Sequence, residues 1–157
     1  MAPSGVQNAF QNFNNGQGQL GSTAMTIPPA GCFIPVVVVS GATTLKAYQS
    51  GSLISVSQAA AYAITLPLPL VGTNFKFILN TIGANTVAIT AASAATNIYG
   101  QTVDTAGGAR ITTGAGTNTV NFVNGAVVGD VINLVADGTN WYANNITAGA
   151  GVDITFV

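Results

Sequence analysis

The chain has 157 residues, with three Lys or Arg, four Asp or Glu and no His, so 4% of it is charged, against roughly 25% in an ordinary soluble domain. General acid–base catalysis draws on His or on a carboxylate tuned toward neutrality. The inventory offers little beyond an Asp–Asp or Asp–Lys device, and an enzyme is not expected.

A formal net charge of −1 leaves no basic field to attract phosphates, which speaks against nucleic acid as a partner. Hydrophobic residues make up 48% of the chain. The densest apolar run, residues 34–39, is broken by Pro35 and falls far short of the roughly 20 residues of a spanning helix, so no membrane is expected as a partner. The outer surface is then built from Thr, Ser, Asn, Gln, Gly and Ala. A surface without long-range charge repulsion favours association, and composition alone points to a subunit of a structural assembly.

Residues 1–26 are rich in Asn, Gln, Gly and Ser, and Val6, Phe10, Phe13, Leu20 and Met25 are their sizeable apolar groups. Two readings stand: a disordered tail, because polar low-complexity sequence buries too little to offset its ordering entropy, or an arm that orders on a partner through Phe10 and Phe13. No Lys or Arg precedes Lys46 and no apolar stretch follows the start, so a cleaved secretory signal is not expected. The run Ile27-Pro28-Pro29-Ala30-Gly31 reads as a rigid connector. The single Cys32 forms no internal bridge and reads as a small hydrophobe. Residues 1–32 are therefore expected to form an extended arm and Pro-rich connector, and residues 33–157 one β-domain.

From Phe33 onward, short runs of β-branched and aromatic residues bounded by Gly, Asn, Asp, Ser or Pro recur at the spacing of an all-β sandwich or barrel. Strands are expected at 36–40, 44–49 and 53–56. In 61–66 one face is Tyr62, Ile64 and Leu66. In 74–80 it is Phe75, Phe77 and Leu79, opposite Lys76, Ile78 and Asn80. In 86–90 Val87 and Ile89 alternate with Thr and Ala. Further strands are expected at 110–113 and 119–123. Residues 131–136 are apolar on both faces apart from Asn133 and belong in the middle of the fold. Asp137-Gly138 then signals a hairpin into Trp141-Tyr142 through a type I′ turn. Residues 152–157 set Val152, Ile154 and Phe156 against Asp153, Thr155 and Val157. The alternation predicts half-buried antiparallel strands in a compact antiparallel sandwich or barrel of jelly-roll-like form. No exact internal repeat is visible, so neither a solenoid nor a propeller is expected.

Little in the chain carries chemistry. Asp137-Gly138-Thr139-Asn140 lacks the Glu of a calcium loop and reads as a turn. Gly129-Asp130 reads as a turn whose carboxylate caps local N–H groups. The Gly-rich stretches 105–109 and 113–117 lack the Lys of a phosphate-binding loop and read as loops. Catalytic, cofactor-binding and metal residues are accordingly not expected, nor is a small-molecule substrate. Tyr99, Trp141 and Tyr142 could form a sugar-stacking platform, although core burial is the commoner fate of a strand Trp. Lys76 either protects a sheet edge or pairs with an Asp of an adjacent subunit. Candidate partner contacts are Phe10, Phe13, Lys76, Val152, Ile154 and Phe156.

One ordered string stands out: Tyr62-Ala63-Ile64-Thr65-Leu66-Pro67, then Gly72-Thr73-Asn74-Phe75-Lys76-Phe77-Ile78, Asn85-Thr86-Val87-Ala88-Ile89-Thr90 and Ile98-Tyr99-Gly100, closing with the run from Gly129-Asp130 through Asp137-Gly138-Thr139-Asn140-Trp141-Tyr142. It resembles a β-rich module of tailed-phage virion proteins, chiefly capsid decoration (cement) proteins and some tail-fibre heads, over roughly the last hundred residues. The resemblance implies a homotrimeric β-fold, made in the host cytoplasm and clamped on the capsid exterior where major capsid proteins meet. It transfers no catalytic residue. The alternative it implies is a receptor- or glycan-binding head of a tail fibre.

Overall fold

A computed structural model describes residues 19–20, 23–24, 34–104, 110–112, 116–147 and 154–157. The chain divides into two units, residues 1–33 and 34–157. In the first, β1 (Gln19–Leu20) pairs antiparallel with β2 (Thr23–Ala24). The Phe10 and Phe13 of the expected arm lie outside the described residues.

The second unit is a sandwich of two sheets. It contains β3 (Val36–Val39), β4 (Thr43–Thr44), β5 (Leu53–Ser57), β6 (Tyr62–Thr65), β7 (Asn74–Thr81), β8 (Val87–Thr90), β9 (Ile98–Asp104), β10 (Arg110–Thr112), β11 (Thr119–Phe122), β12 (Val131–Ala136), β13 (Trp141–Thr147) and β14 (Ile154–Phe156). One sheet has seven strands in the order β10-β9-β13-β12-β7-β5-β3, the other five in the order β14-β11-β8-β6-β4. Period-two alternation forms the core. β7 buries Phe75, Phe77 and Leu79, β12 buries Ile132, Leu134 and Ala136, and the other sheet supplies Ile64, Val87, Ile89, Val120, Phe122 and Ile154.

The all-β sandwich is as expected, but its strands are not uniformly antiparallel. Five of the ten pairings in the two large sheets are antiparallel and five are parallel. Alternation reports which face a side chain takes, not the direction of the neighbouring strand. From β3 to β8 the chain crosses from one sheet to the other after every strand, so β3, β5 and β7 run parallel in one sheet and β4, β6 and β8 in the other.

This first half is a solenoid-like coil, contrary to the sequence expectation. Its turns have unequal lengths, which hides the repeat. Partners are 17 residues apart from Val36 to Leu53 and 23 from Leu53 to Lys76, then 21 from Thr43 to Ile64 and 25 from Ile64 to Ile89. The β12–β13 hairpin lies between β7 and β9 in the seven-stranded sheet.

Three local readings change. The strand expected at 44–49 stops at Thr44 and gives way to a 3₁₀ turn at Ala47–Gln49. The Lys46 N–H donates to Gln49 Oε1 at 2.8 Å, a local bond that competes with the sheet ladder. No strand is expected from the sequence at 98–104, where the structure places β9. The hairpin loop is not type I′: four residues separate β12 from β13, only Gly138 has positive φ, at 101°, and Asp137 Oδ1 accepts the N–H groups of Thr139 and Asn140, each at 2.7 Å.

Polar groups seal the turns. Asp130 is fully buried and accepts the Val127 N–H at 2.9 Å, the capping role expected of it. Gln58 is also fully buried. Its Nε2 donates to the carbonyls of Asn85 and Val123 at 3.0 and 3.1 Å, and its Oε1 accepts the Gly83 N–H at 3.4 Å.

Adjacent positions on β7 should respond oppositely in urea denaturation. Phe77→Ala removes a fully buried ring and is expected to cost about 3–5 kcal/mol, whereas Lys76→Ala on the exposed face should stay within about 0.5 kcal/mol. Gln58→Ala strands two carbonyls and an N–H, with an expected loss of about 2–4 kcal/mol in the same measurement.

Candidate binding surfaces

The outward face of the seven-stranded sheet carries the most distinctive exposed groups. At one edge is β3, the outermost strand. Its Val36 and Val38 are 60% and 71% exposed, and the neighbouring Ile34 is 63% exposed. A cavity of about 430 Å³ opens nearby, lined in part by Ile34, Leu53, Asn74, Lys76, Asn133 and Val135. Lys76 thus lies on the outward face within the sheet, paired through its backbone with β5 and β12. That placement removes the edge-protecting role. Among the described residues Lys76 has no ion-pair partner.

Farther across the face, parallel register sets Tyr142 of β13 beside Tyr99 of β9. Their rings stack with centroids 5.9 Å apart at 26°. Gly100 makes the strand approach possible, because a Cβ there would collide with the Ala143 carbonyl and lie 2.6 Å from the Ala143 Cβ. The Tyr142 hydroxyl donates to Asp137 Oδ2 at 2.9 Å. Tyr99 Oη accepts from Asn97 Nδ2 at 3.3 Å, while the Asn97 N–H donates to Asn140 Oδ1 at 3.2 Å. The hairpin loop therefore braces both rings.

The N–H groups of Asn140 and Thr139, then the Tyr142 hydroxyl, stabilise the Asp137 carboxylate and lower its pKa. Donation to that carboxylate, more than burial or its negative charge, raises the Tyr142 pKa.

Of the three aromatics considered for a platform, the fold brings Tyr99 and Tyr142 together and removes Trp141. Trp141 is fully buried, its ring 5.9 Å from that of Phe75, and its Nε1 has no hydrogen-bond partner among the described residues. The alternation that puts Tyr142 outside requires Trp141 to point inside.

The face also carries residues that the sequence reading passed over. Asn133, Asn144 and Gln101 align across β12, β13 and β9, one step along from the tyrosines. Gln101 lies outside every strand expected from the sequence, and alignment of the three residues depends on which strands pair.

The candidate contacts near the C-terminus separate. Val152 lies outside the described residues. Ile154 is 1% exposed and packs in the core, so it is not a surface contact; the apolar alternation of the last strand marks its core face. Phe156 is half-buried against the same core. No protein-family model, curated protein or solved structure matches the chain.

Asp137→Asn should lower the Tyr142 pKa toward the ordinary tyrosine value, read by NMR titration of the ring. The lowered Asp137 pKa contributes stability above the ordinary aspartate value that is lost as pH falls through the lowered one. The raised Tyr142 pKa contributes stability below the ordinary tyrosine value that is lost as pH rises through the raised one. Both dependences should flatten in Asp137→Asn when unfolding is followed across pH.

Proposed function

We propose that the protein is a structural virion component that binds the outside of a phage capsid lattice and stabilises it as a homotrimeric decoration protein. The observation that carries this reading is the concentration of exposed aliphatic side chains on a surface with few charges. Ile34, Val36 and Val38 crowd the β3 edge, and Leu68, Leu70 and Val71 are 63%, 56% and 83% exposed in the loop before β7. An outermost strand offers backbone groups for pairing with another chain, and an exposed apolar patch gains stability when covered.

In this reading the action is mechanical rather than catalytic. Covering apolar surface stabilises a contact by about 25 cal/mol per Å², and a surface with few ions makes that contact insensitive to salt. Threefold repetition adds avidity, since the second and third contacts form at high effective concentration. Residues 1–32 serve as the reaching arm, with Phe10 and Phe13 as its anchors on the major capsid protein or a neighbouring subunit. The resemblance to virion modules favours the same role and the capsid exterior as its location.

The expected result is a trimer in analytical ultracentrifugation that binds undecorated capsids in the hundreds of copies and raises their temperature of DNA release. Binding at 0.5 M salt should match that at low salt within about threefold. Replacing Phe10 and Phe13 together with Ala should abolish capsid binding while leaving the domain's thermal unfolding unchanged. Capsids that take up none of the protein, or that gain no resistance from it, overturn the proposal.

A further inference from the structure

We propose that the outward face of β9, β12 and β13 is a platform for a neutral glycan, a function separate from capsid docking. The stacked Tyr99–Tyr142 pair forms its apolar part. Tyr142 is 46% exposed, and Val135, in register with it on β12, is 50% exposed. One step along the strands, Lys76, Asn133, Asn144 and Gln101 form a row across four neighbouring strands, roughly 14 Å wide at the usual strand spacing. Asn133 Nδ2 donates to the Asn144 carbonyl at 3.0 Å, which fixes one amide of the row, while the Asn144 side chain is exposed.

This combination matches the chemistry of a pyranose chain. A sugar ring presents an apolar C–H face, which suits the electron-rich face of a tyrosine. It also presents a belt of hydroxyls, each both donor and acceptor, which side-chain amides meet with both functions. The described part of the platform holds one cation, Lys76, and one anion, Asp137, whose oxygens already accept two backbone N–H groups and the Tyr142 hydroxyl. A neutral ligand therefore fits better than an acidic one. The tyrosines are held before any ligand arrives: Asp137 fixes one hydroxyl, Asn97 contacts the other, and Gly100 lets the strands close. Such bracing reduces the ordering cost of binding.

The test uses the full-length protein and linear hexasaccharides of α-1,4-glucose, β-1,4-glucose, mannose and N-acetylglucosamine, with oligomeric sialic acid as the acidic control, followed by titration calorimetry. At least one neutral hexasaccharide is expected to bind, with an affinity unchanged between low and 0.5 M salt. Tyr142→Ala and the surface variant Asn144→Ala should each weaken binding about tenfold, and Tyr142→Phe should retain most of it. Circular dichroism establishes that each variant is folded. The proposal is overturned if no neutral hexasaccharide binds, if only the acidic oligomer binds, or if folded Tyr142→Ala and Asn144→Ala bind as the parent does. A change in oligomeric state without a change in sugar affinity would assign the face to contact between copies of the chain and equally overturn it.

Discussion

Phe75, Phe77 and Leu79 join the parallel and antiparallel halves of the seven-stranded sheet, because β7 runs parallel to β5 on one side and antiparallel to β12 on the other. Phe77 stands in register between Ile54 and Ile132, and Phe75 carries the contact onward to Trp141. The coil of the first half and the hairpin of the second thus share one buried row. Since each strand contributes only alternate side chains to the interior, a one-residue slip of β7 would expose both phenylalanines and bury Lys76. The outward face inherits its order from that inward requirement: Lys76 aligns with Asn133 because Phe75 and Phe77 align with Leu134 and Ile132.

The polar interior complements this apolar row. From β3 to β8 the chain crosses between sheets after every strand, and each connection must pair the backbone groups it removes from water. Gln58 serves carbonyls and an N–H from two separate segments. The Tyr62 hydroxyl, on the five-stranded sheet, lies 2.7 Å from the Ser57 carbonyl and 3.0 Å from that of Val39, both on strands of the other sheet. Neutral amides and hydroxyls perform these tasks without the desolvation cost of ions. Asp130 and Asp137, the two acids whose side chains are described, both cap backbone N–H groups at turns.

The surface proposals share one physical basis. With few charges, recognition rests on exposed aliphatic groups, aromatic rings and amides. The aliphatic groups gather at the β3 edge and in the loop before β7, whereas the rings and amides occupy β9, β12 and β13. The two surfaces are chemically different, so one chain can be covered at one place and remain open to a small polar ligand at another.

Much of this organisation was legible in the chain itself. The alternation of Phe75, Phe77 and Leu79 with Lys76, Ile78 and Asn80 identified both the strand and its buried face, and Gly129-Asp130 announced a capped turn. The alternation in the last strand likewise marked Ile154, but it could not say whether that apolar face met the core or a partner. By itself the sequence determined the β class, most strand positions, the core faces of 61–66, 74–80 and 86–90 and a surface poor in charge, because these follow from side-chain period and composition. Only the tertiary structure decided strand direction, the coil hidden by unequal turns, the alignment of Tyr99 with Tyr142 and the amide row. Those depend on which strands become neighbours, and neighbours far apart in the chain are chosen by how the whole core packs.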